Sequence, residues 1–426
     1  MMNDDHDVIV IGGGPAGSTT ATLVADAGHR VLLLEREATT QFQVGESLMP
    51  GTYWTFERLG MLDKLRQSAF PRKFSVQFFG RSGKASQPFY FRDNDPHESS
   101  MTWQVLRSEF DRLMLDNARE KGAEVIEGAA VREVLFEGAP GEGQEQKAVG
   151  VVADLPGGTQ QTFRAPVIVD ASGQSALISR RLKISKVEPR LRKASVYTHF
   201  EGGQRDAGDD EGATLILQTE KGDSWFWSIP LPDDRVSVGV VGSLDYLLQD
   251  RSGSNQEIFD AELAICAPMR ERLAGARQLF PVKVTKDFSY RADRIAGHGW
   301  VLVGDAFGFL DPVYSSGVYL ALKSGEMAAG AICEAIRKGD FSATQLGSFG
   351  AEFVSGMEAV RKLVYAFYTK EFSFAEFLKR HPDCRKGIVD ILSGNLYNEG
   401  VNEIFEPMSE MCDLPADMML ATVAGK

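Results

Sequence analysis

Three glycines carry the first chemical signal in this chain. Gly12-x-Gly14-x-x-Gly17 follows an apolar, β-branched run over 7–13 and leads into a helical pattern from Ala16 to Ala27, which Gly28 stops. A second apolar run, Arg30 to Leu34, ends on Glu35. Strand, glycine turn, helix, strand and acid in that order make a dinucleotide-binding unit. Gly12 permits the turn, Gly14 lets the backbone reach a pyrophosphate, and Gly17 lets the helix pack close to the strand. Pro15 and Ala16 stand in the first helical turn, whose free N–H groups and positive dipole end face phosphates. Glu35, with Arg36 beside it, lies 18 residues past Gly17, where a carboxylate accepts hydrogen bonds from a ribose.

A second acid at a strand end narrows the dinucleotide. The apolar run Trp300 to Val303 ends in Gly304-Asp305, and a carboxylate there can accept from the hydroxyls of a ribityl chain. A turn at Pro312 then opens a long helix from about Gly317 to Ile336, with Val318 in its first turn. Its N-terminus at Ser315-Ser316-Gly317 directs positive charge at an anionic partner: the electron-rich edge of a reduced flavin, or a small anion. FAD is favoured over NAD. Three further residues have two readings each. Lys73, in Phe70-Pro71-Arg72-Lys73-Phe74 at the entry to an alternating strand, is either a solvated lysine or an amine turned into a phenylalanine-lined pocket. In such a pocket burial disfavours the ammonium. Trp225 and Trp227 alternate on one strand face, as sheet core or as pocket walls. Glu46, read from the sequence alone, caps the following turn.

The elements that position these residues are legible in outline. An amphipathic helix over 103–122 carries Arg107 near its start, and AEVIEGAAVREVLF reads as a strand pair followed by a Gly/Glu/Gln-rich hairpin loop at 138–147. Residues 164–173 form another buried strand ending at Asp170. The stretch 202–212 reads as a solvated hairpin loop, its acids lacking calcium-loop spacing. From about residue 343 the chain reads as helices, with Phe353, Val360, Val364, Phe367 and Phe374 at helical intervals and a Met-rich 408–420 expected as a flap or fold-back helix. The composition bounds the class. The chain has 426 residues, a net charge of −13, 43% hydrophobic and 25% charged residues. An acidic balance argues against nucleic acid or an anionic membrane as partner. Four cysteines without paired spacing and an acidic N-terminus lacking a secretory pattern lead to the expectation of a reduced, cytoplasmic protein.

Taken together, these motifs resemble the FAD-dependent superfamily of aromatic hydroxylases, geranylgeranyl reductases and flavin-dependent halogenases, over most of the chain to about residue 380. Within it, Trp225-Phe226-Trp227-Ser228-Ile229-Pro230 matches the halogenase tryptophan-x-tryptophan-x-isoleucine-proline signature, with Ile229 and Pro230 completing it. Lys73 stands where that family carries its essential lysine. Val44-Gly45-Glu46-Ser47 looks like the strap between flavin and substrate pockets, and Asp311-Pro312-Val313-Tyr314-Ser315-Ser316-Gly317 resembles the flavin and halide segment.

The resemblance implies an α/β fold. A Rossmann-type FAD-binding domain is assembled from 1–75, 103–185 and 291–340, an antiparallel-sheet substrate domain from 76–102 and 186–290, and a helical section covers 341–426. It also implies reduced FAD held by Gly12, Gly14, Pro15, Ala16, Gly17, Glu35, Arg36, Ser47, Arg107, Asp305, Pro312, Gly317 and Val318. Chloride or bromide would sit on the backbone N–H groups of Ser316 and Gly317. Oxygen and reduced flavin would yield hypohalous acid, which Lys73 holds or activates for an electron-rich ring, with Glu46 coupling the two sites. Nothing calls for a metal. Tryptophan halogenases carry a glutamate where Tyr314 stands, so the substrate is expected to be a self-activating phenol or pyrrole, free or tethered to a carrier protein, in secondary-metabolite biosynthesis. A separate flavin reductase would supply the reduced cofactor. The basic run 379–386 reads as a solvated helix end, with carrier docking as the alternative. Two rival readings are a prenyl reductase, which needs an apolar tunnel without a lysine, and an NAD(P)H-consuming aromatic hydroxylase.

Overall fold

The computed structural model describes residues 6–39, 43–138, 146–286 and 288–421. The run Val8–Ile11 is buried on both faces and forms the centre of a six-stranded sheet. Val167–Asp170 and Val31–Glu35 flank it in parallel, Glu124–Glu127 and Trp300–Leu302 extend the parallel array, and Ala296–Gly297 adds one antiparallel edge. Continuous Val/Ile/Leu runs suit this position, because helices cover both faces of such a sheet. The helix Pro15–Asp26 packs on the long helix Ser316–Lys338 at backbone distance. A Cβ on Gly325 would lie 2.6 Å from the Ala16 carbonyl oxygen, and Thr20 Oγ1 donates to Gly325 O. Those two helices carry the two expected anion-facing N-termini, and Ala16 at the start of the first meets Gly325 within the second.

The second large sheet is mostly antiparallel, with strands Ser185–Glu201, Arg235–Ser243, Ser224–Pro230 and Thr214–Gln218 in spatial order, then Ser75–Phe79 joined in parallel to Thr214–Gln218. Alternation along the strands separates two cores. Tyr197, Ile216, Trp225, Trp227 and Ile229 face the main core, whereas Val196, Leu215, Leu217, Phe226 and Val240 join a second one. In that second core Phe259, from the helix Asn255–Ala264, and Met269, from Ala267–Arg272, pack against these residues.

Four expectations are corrected by this architecture. The segment 202–212 is not a hairpin loop: the strands it joins are separated by two others, because Thr214–Gln218 pairs with Ser224–Pro230 and Ser75–Phe79. Three of its four acids are pinned, Asp206 by Arg272, Asp209 by Arg92, and Asp210 by Ser75 and Tyr90. The two strands over 124–137 do not pair with each other. Glu124–Glu127 joins the parallel sheet, and Ala130–Glu137 pairs with Lys147–Asp154 in a separate three-stranded sheet. The loop expected between those last two strands lies mostly outside the described residues. The aromatic spacing over 353–374 spans two helices, since Gly350–Tyr368 ends before Phe374–Arg380 begins. The Met-rich segment is neither flap nor helix beyond Ser409. It runs extended along the surface, held by Arg361 to Ala416 O, Lys362 to Asp417 and Ala421 N to Asp293 O. Among the described residues no helix is long and apolar enough to cross a membrane.

Arg361 anchors this tail. It is 2% exposed and pairs with both Glu358 and Glu188. Removing one partner of a buried ion-pair cluster leaves charges uncompensated. Arg361→Ala should therefore lower the unfolding free energy by about 3–5 kcal/mol, read from the shift in denaturant midpoint, and release the C-terminal tail to proteolysis.

Candidate active site

The glycine turn has the geometry of a cofactor cradle. Gly12 has φ +104°, and a Cβ on Gly17 would stand 1.9 Å from Gly12 O. A Cβ on Gly14, by contrast, meets nothing within 4 Å. No side chain caps this helix among the described residues, so its first N–H groups remain for an outside acceptor. Glu35 accepts from Gly13 N (2.6 Å) and Glu37 N (2.9 Å), which braces the turn and aims its carboxylate. Arg36 is exposed, its guanidinium directed at Ser175 and Glu37. Asp305 lies past the end of the strand Trp300–Leu302, in the short 3-10 turn Gly304–Ala306, and is half-buried. Buried Arg107 holds Asp111 through two hydrogen bonds and donates to Val44 O, tying the helix Arg107–Glu120 to the strap.

The strap residues tie several elements together. Gly45 has φ +104°, and a Cβ there would meet Arg107 at 2.8 Å and Val318 at 3.5 Å. Glu46, 1% exposed, bonds His199 Nε2 at 2.7 Å through Oε1, while its Oε2 has no partner among the described residues. Ser47, expected among the cofactor contacts, spends its hydroxyl on Lys73 Nζ (2.9 Å) and Thr214 Oγ1 (2.8 Å). Lys73 is 2% exposed, which excludes the solvated reading. It pairs through its backbone with Thr102, donates also to Leu48 O at 2.9 Å, and lies 5.5 Å from the Phe91 ring centre. Burial pushes its ammonium pKa down to about 7. It lines a narrow cavity of about 20 Å³ with Phe78, Phe89, Tyr314, Ser315 and Leu392. A larger cavity of about 330 Å³, bounded by Phe79 and Arg272, lies against the second core and contains none of these motif residues.

Tyr314 and Ser315 belong to the wall opposite Lys73, in the segment Asp311–Gly317. Ser315 has φ +58° and starts the helix Ser316–Lys338 with no side-chain cap, and the buried Ser316 Oγ has no partner among the described residues. Open space surrounds Gly317, where a Cβ would meet nothing within 4 Å. Asp311 shapes the turn, accepting from Val313 N (3.1 Å) and Tyr368 OH (2.9 Å). Burial pushes its carboxyl up to about 6, with Lys193 and Tyr368 pulling against that. Trp225 Nε1 in turn donates to Tyr368 OH at 3.0 Å, and Lys193 Nζ sits 3.6 Å over the Tyr368 ring. Trp227 donates to Ser237. Both tryptophans are 4% exposed and packed in the main core, and neither lines the cavity beside Lys73.

Sequence reasoning missed His199, Gln104, Thr214, Tyr368 and Leu392. The last comes from the helix Arg385–Ser393, seated where Gly51 N bonds Ser393 O. No local pattern marks them. Only strand alternation, which sets Thr214 and Ile216 on one face, was available as a signal. Two uncapped helix starts, a cradle that a Cβ at Gly14 would enter, and carboxylates at two strand ends fit FAD.

Comparison with known proteins agrees. The FAD binding domain family matches residues 5–351. A Pseudomonas fluorescens chlorinase named for 1H-pyrrole-2-carbonyl on a peptidyl-carrier protein is 30% identical over 96% of this chain and 94% of its own. The corresponding brominase of Pseudoalteromonas luteoviolacea is 30% identical over 91% of this chain and 92% of its own. The solved structure of the flavin-dependent brominase Bmp2 matches with TM-score 0.82 and 28% identity, covering 95% of this chain and 98% of that one. The chain thus belongs to the FAD binding domain family and, within it, to the flavin-dependent halogenases, FAD-dependent oxidoreductases with halide as co-substrate.

Proposed function

We propose that this halogenase modifies a pyrrole or phenol ring, presented on a carrier protein, by passing halogen through Lys73. The observation that carries the reading is a buried amine held by the strap and bordering a narrow cavity that Tyr314 and Ser315 also line. Reduced FAD, when bound, supplies with oxygen the two-electron oxidation of halide to hypohalous acid; overall ArH + X⁻ + FADH₂ + O₂ + H⁺ gives ArX + FAD + 2 H₂O. Gly12, Gly14 and Gly17 with Pro15 and Ala16 would hold the pyrophosphate, Glu35 and Arg36 the ribose end, and Arg107, Asp305, Pro312 and Val318 the flavin half. The uncapped N–H groups of Ser316 and Gly317 would hold the halide, because a helix start favours an anion. Lys73 then draws hypohalous acid into a site closed to water and presents halogen to the ring. Glu46 holds the strap against the sheet through His199.

Tyr314 cannot act as the carboxylate would. Burial raises its phenol pKa well above the ordinary value, and its OH is given to Leu363 O. A ring that stabilises its own cationic intermediate is therefore required, as pyrrole and phenol do. The two relatives named for pyrrole-2-carbonyl carrier proteins support a tethered pyrrole. Phe89 and Leu392 must turn aside to admit it, because about 20 Å³ holds little more than one water. A lysine in this cavity argues against the prenyl-reductase alternative.

The test is turnover with FAD, a separate flavin reductase, NADH, bromide, and a panel of pyrrole-2-carbonyl carrier thioester, free pyrroles and phenols. Mass spectrometry is expected to show the bromine isotope doublet, most strongly on the tethered pyrrole. Hydroxylated product, formed with NADH alone, would overturn the reading.

A further inference from the structure

We propose that Gln104 and Thr214, acting through Ser47, are positioning residues for Lys73: they hold its Nζ so that a single bonding direction faces the cavity, and so govern halogen transfer without affecting halide oxidation. This rests on the role given to Lys73 above.

The chain of contacts is continuous and buried. Gln104 is fully buried and lies one residue past the short strand Thr102–Trp103 that pairs with Arg72–Lys73; its backbone N–H donates to Pro71 O. Its Nε2 donates to Gly212 O (2.8 Å) and to Thr214 Oγ1 (2.9 Å), so both amide hydrogens are committed. The carbonyl acceptor at Gly212 settles which end of the amide points there, and Thr214 Oγ1 must therefore accept. Thr214 and Ser47 share one hydrogen over 2.8 Å, and Ser47 Oγ accepts from Lys73 Nζ. Leu48 O takes a second hydrogen from Nζ. A tetrahedral nitrogen bonded to its own Cε and held at two acceptors has one direction left. The open space it borders is the cavity shared with Val313, Tyr314 and Ser315.

That direction carries a proton in the ammonium form and the lone pair in the amine. The amine attacks the halogen of HO–X: the N–X bond forms, the O–X bond breaks with its electron pair, and the departing hydroxide takes one proton from nitrogen as water. The ring then attacks X, the N–X pair returns to nitrogen, and nitrogen recovers the proton lost by the ring carbon. Each step needs the lone pair, and later the N–X bond, to point into the cavity. A lysine with five rotatable bonds achieves this only if its end is held. Gln104 Oε1 is buried without a partner among the described residues.

The test compares Thr214→Val, Thr214→Ser, Gln104→Leu and Lys73→Ala in full-length holoenzyme, after flavin absorbance confirms equal FAD content. With bromide, FAD, flavin reductase and NADH but no aromatic substrate, monochlorodimedone traps free hypobromous acid, and the trapped fraction per flavin oxidised is measured in the first turnovers. Thr214→Val and Gln104→Leu are expected to leak hypobromous acid faster than wild type but more slowly than Lys73→Ala, whereas Thr214→Ser restores the wild-type delay. With the best substrate of the panel above, brominated product per flavin oxidised should fall about tenfold in Thr214→Val, the equivalent of one lost hydrogen bond near 1.4 kcal/mol. If Lys73→Ala leaks no faster than wild type, the role of Lys73 fails. If Lys73→Ala leaks and Thr214→Val with Gln104→Leu behave as wild type, the relay alone is wrong.

Discussion

Lys73→Ala is expected to abolish ring halogenation, by about 10²–10⁴-fold, while oxygen still consumes reduced flavin and hypohalous acid still forms. The helix start proposed for the halide and the glycine turn contain no atom of Lys73, so generation of the oxidant is untouched. What is lost is the amine at the cavity. Product is counted by mass spectrometry against flavin oxidised; full halogenation in the variant would remove Lys73 from the mechanism. The pH profile separates its two modes of action. With a pKa near 7, an amine that takes up halogen makes product formation rise between about pH 6 and pH 8, whereas an ammonium that only hydrogen-bonds hypohalous acid makes it fall over the same window.

The same burial has a stability consequence with a definite sign. The folded pKa lies below the 10.5 of a free lysine, so between about 7 and 10.5 the unfolded chain binds more protons, and wild-type stability rises with pH there. Below about 7 the full cost of the buried charge is present. Lys73→Met removes that cost but strands Leu48 O and Ser47, and should still raise the unfolding free energy at pH 7 by about 3 kcal/mol. A destabilised, inactive Lys73→Met would contradict the assignment of burial as the cause of the shift.

The second large effect belongs to the glycine turn, where two substitutions separate folding from cofactor binding. Gly17→Ala places a Cβ 1.9 Å from the backbone oxygen of Gly12, and no side chain can move to relieve it. The helix Pro15–Asp26 must shift off the sheet, so Gly17→Ala should lose FAD and at least about 3 kcal/mol of stability. Gly14→Ala meets nothing within 4 Å in the protein itself. It should melt within a few degrees of wild type yet bind FAD about a hundredfold more weakly, because the methyl stands where the pyrophosphate must approach. Flavin fluorescence titration and thermal melts read the two properties. Wild-type FAD affinity in Gly14→Ala would place the pyrophosphate elsewhere.

The parts of the molecule legible in the sequence are those built from short spans. The turn from Ile11 to Pro15, the acid at Glu35 and the helix start after Ser315 are each set by a few neighbouring residues whose backbone demands are strong. The tryptophan pair was legible as one face of a strand because alternation is a local rule. Errors arose where pairing partners are distant. Segment 202–212 passed for a hairpin loop because nothing within it shows that Thr214–Gln218 joins Ser75–Phe79. The helical spacing through Phe374 continued across a real break at Thr369, since periodicity does not register a helix end without a stop residue.

By itself the amino-acid order determined the dinucleotide-binding turn after the first strand and the start of a long helix after Ser315. Whether Lys73 is a solvent-facing cation or a buried amine was decided only by tertiary structure. Its state depends on Ser47, 26 residues away, and on Thr214, 167 residues from Ser47. Desolvation is a property of everything packed around a group, and no window along the chain contains the residues that exclude the water.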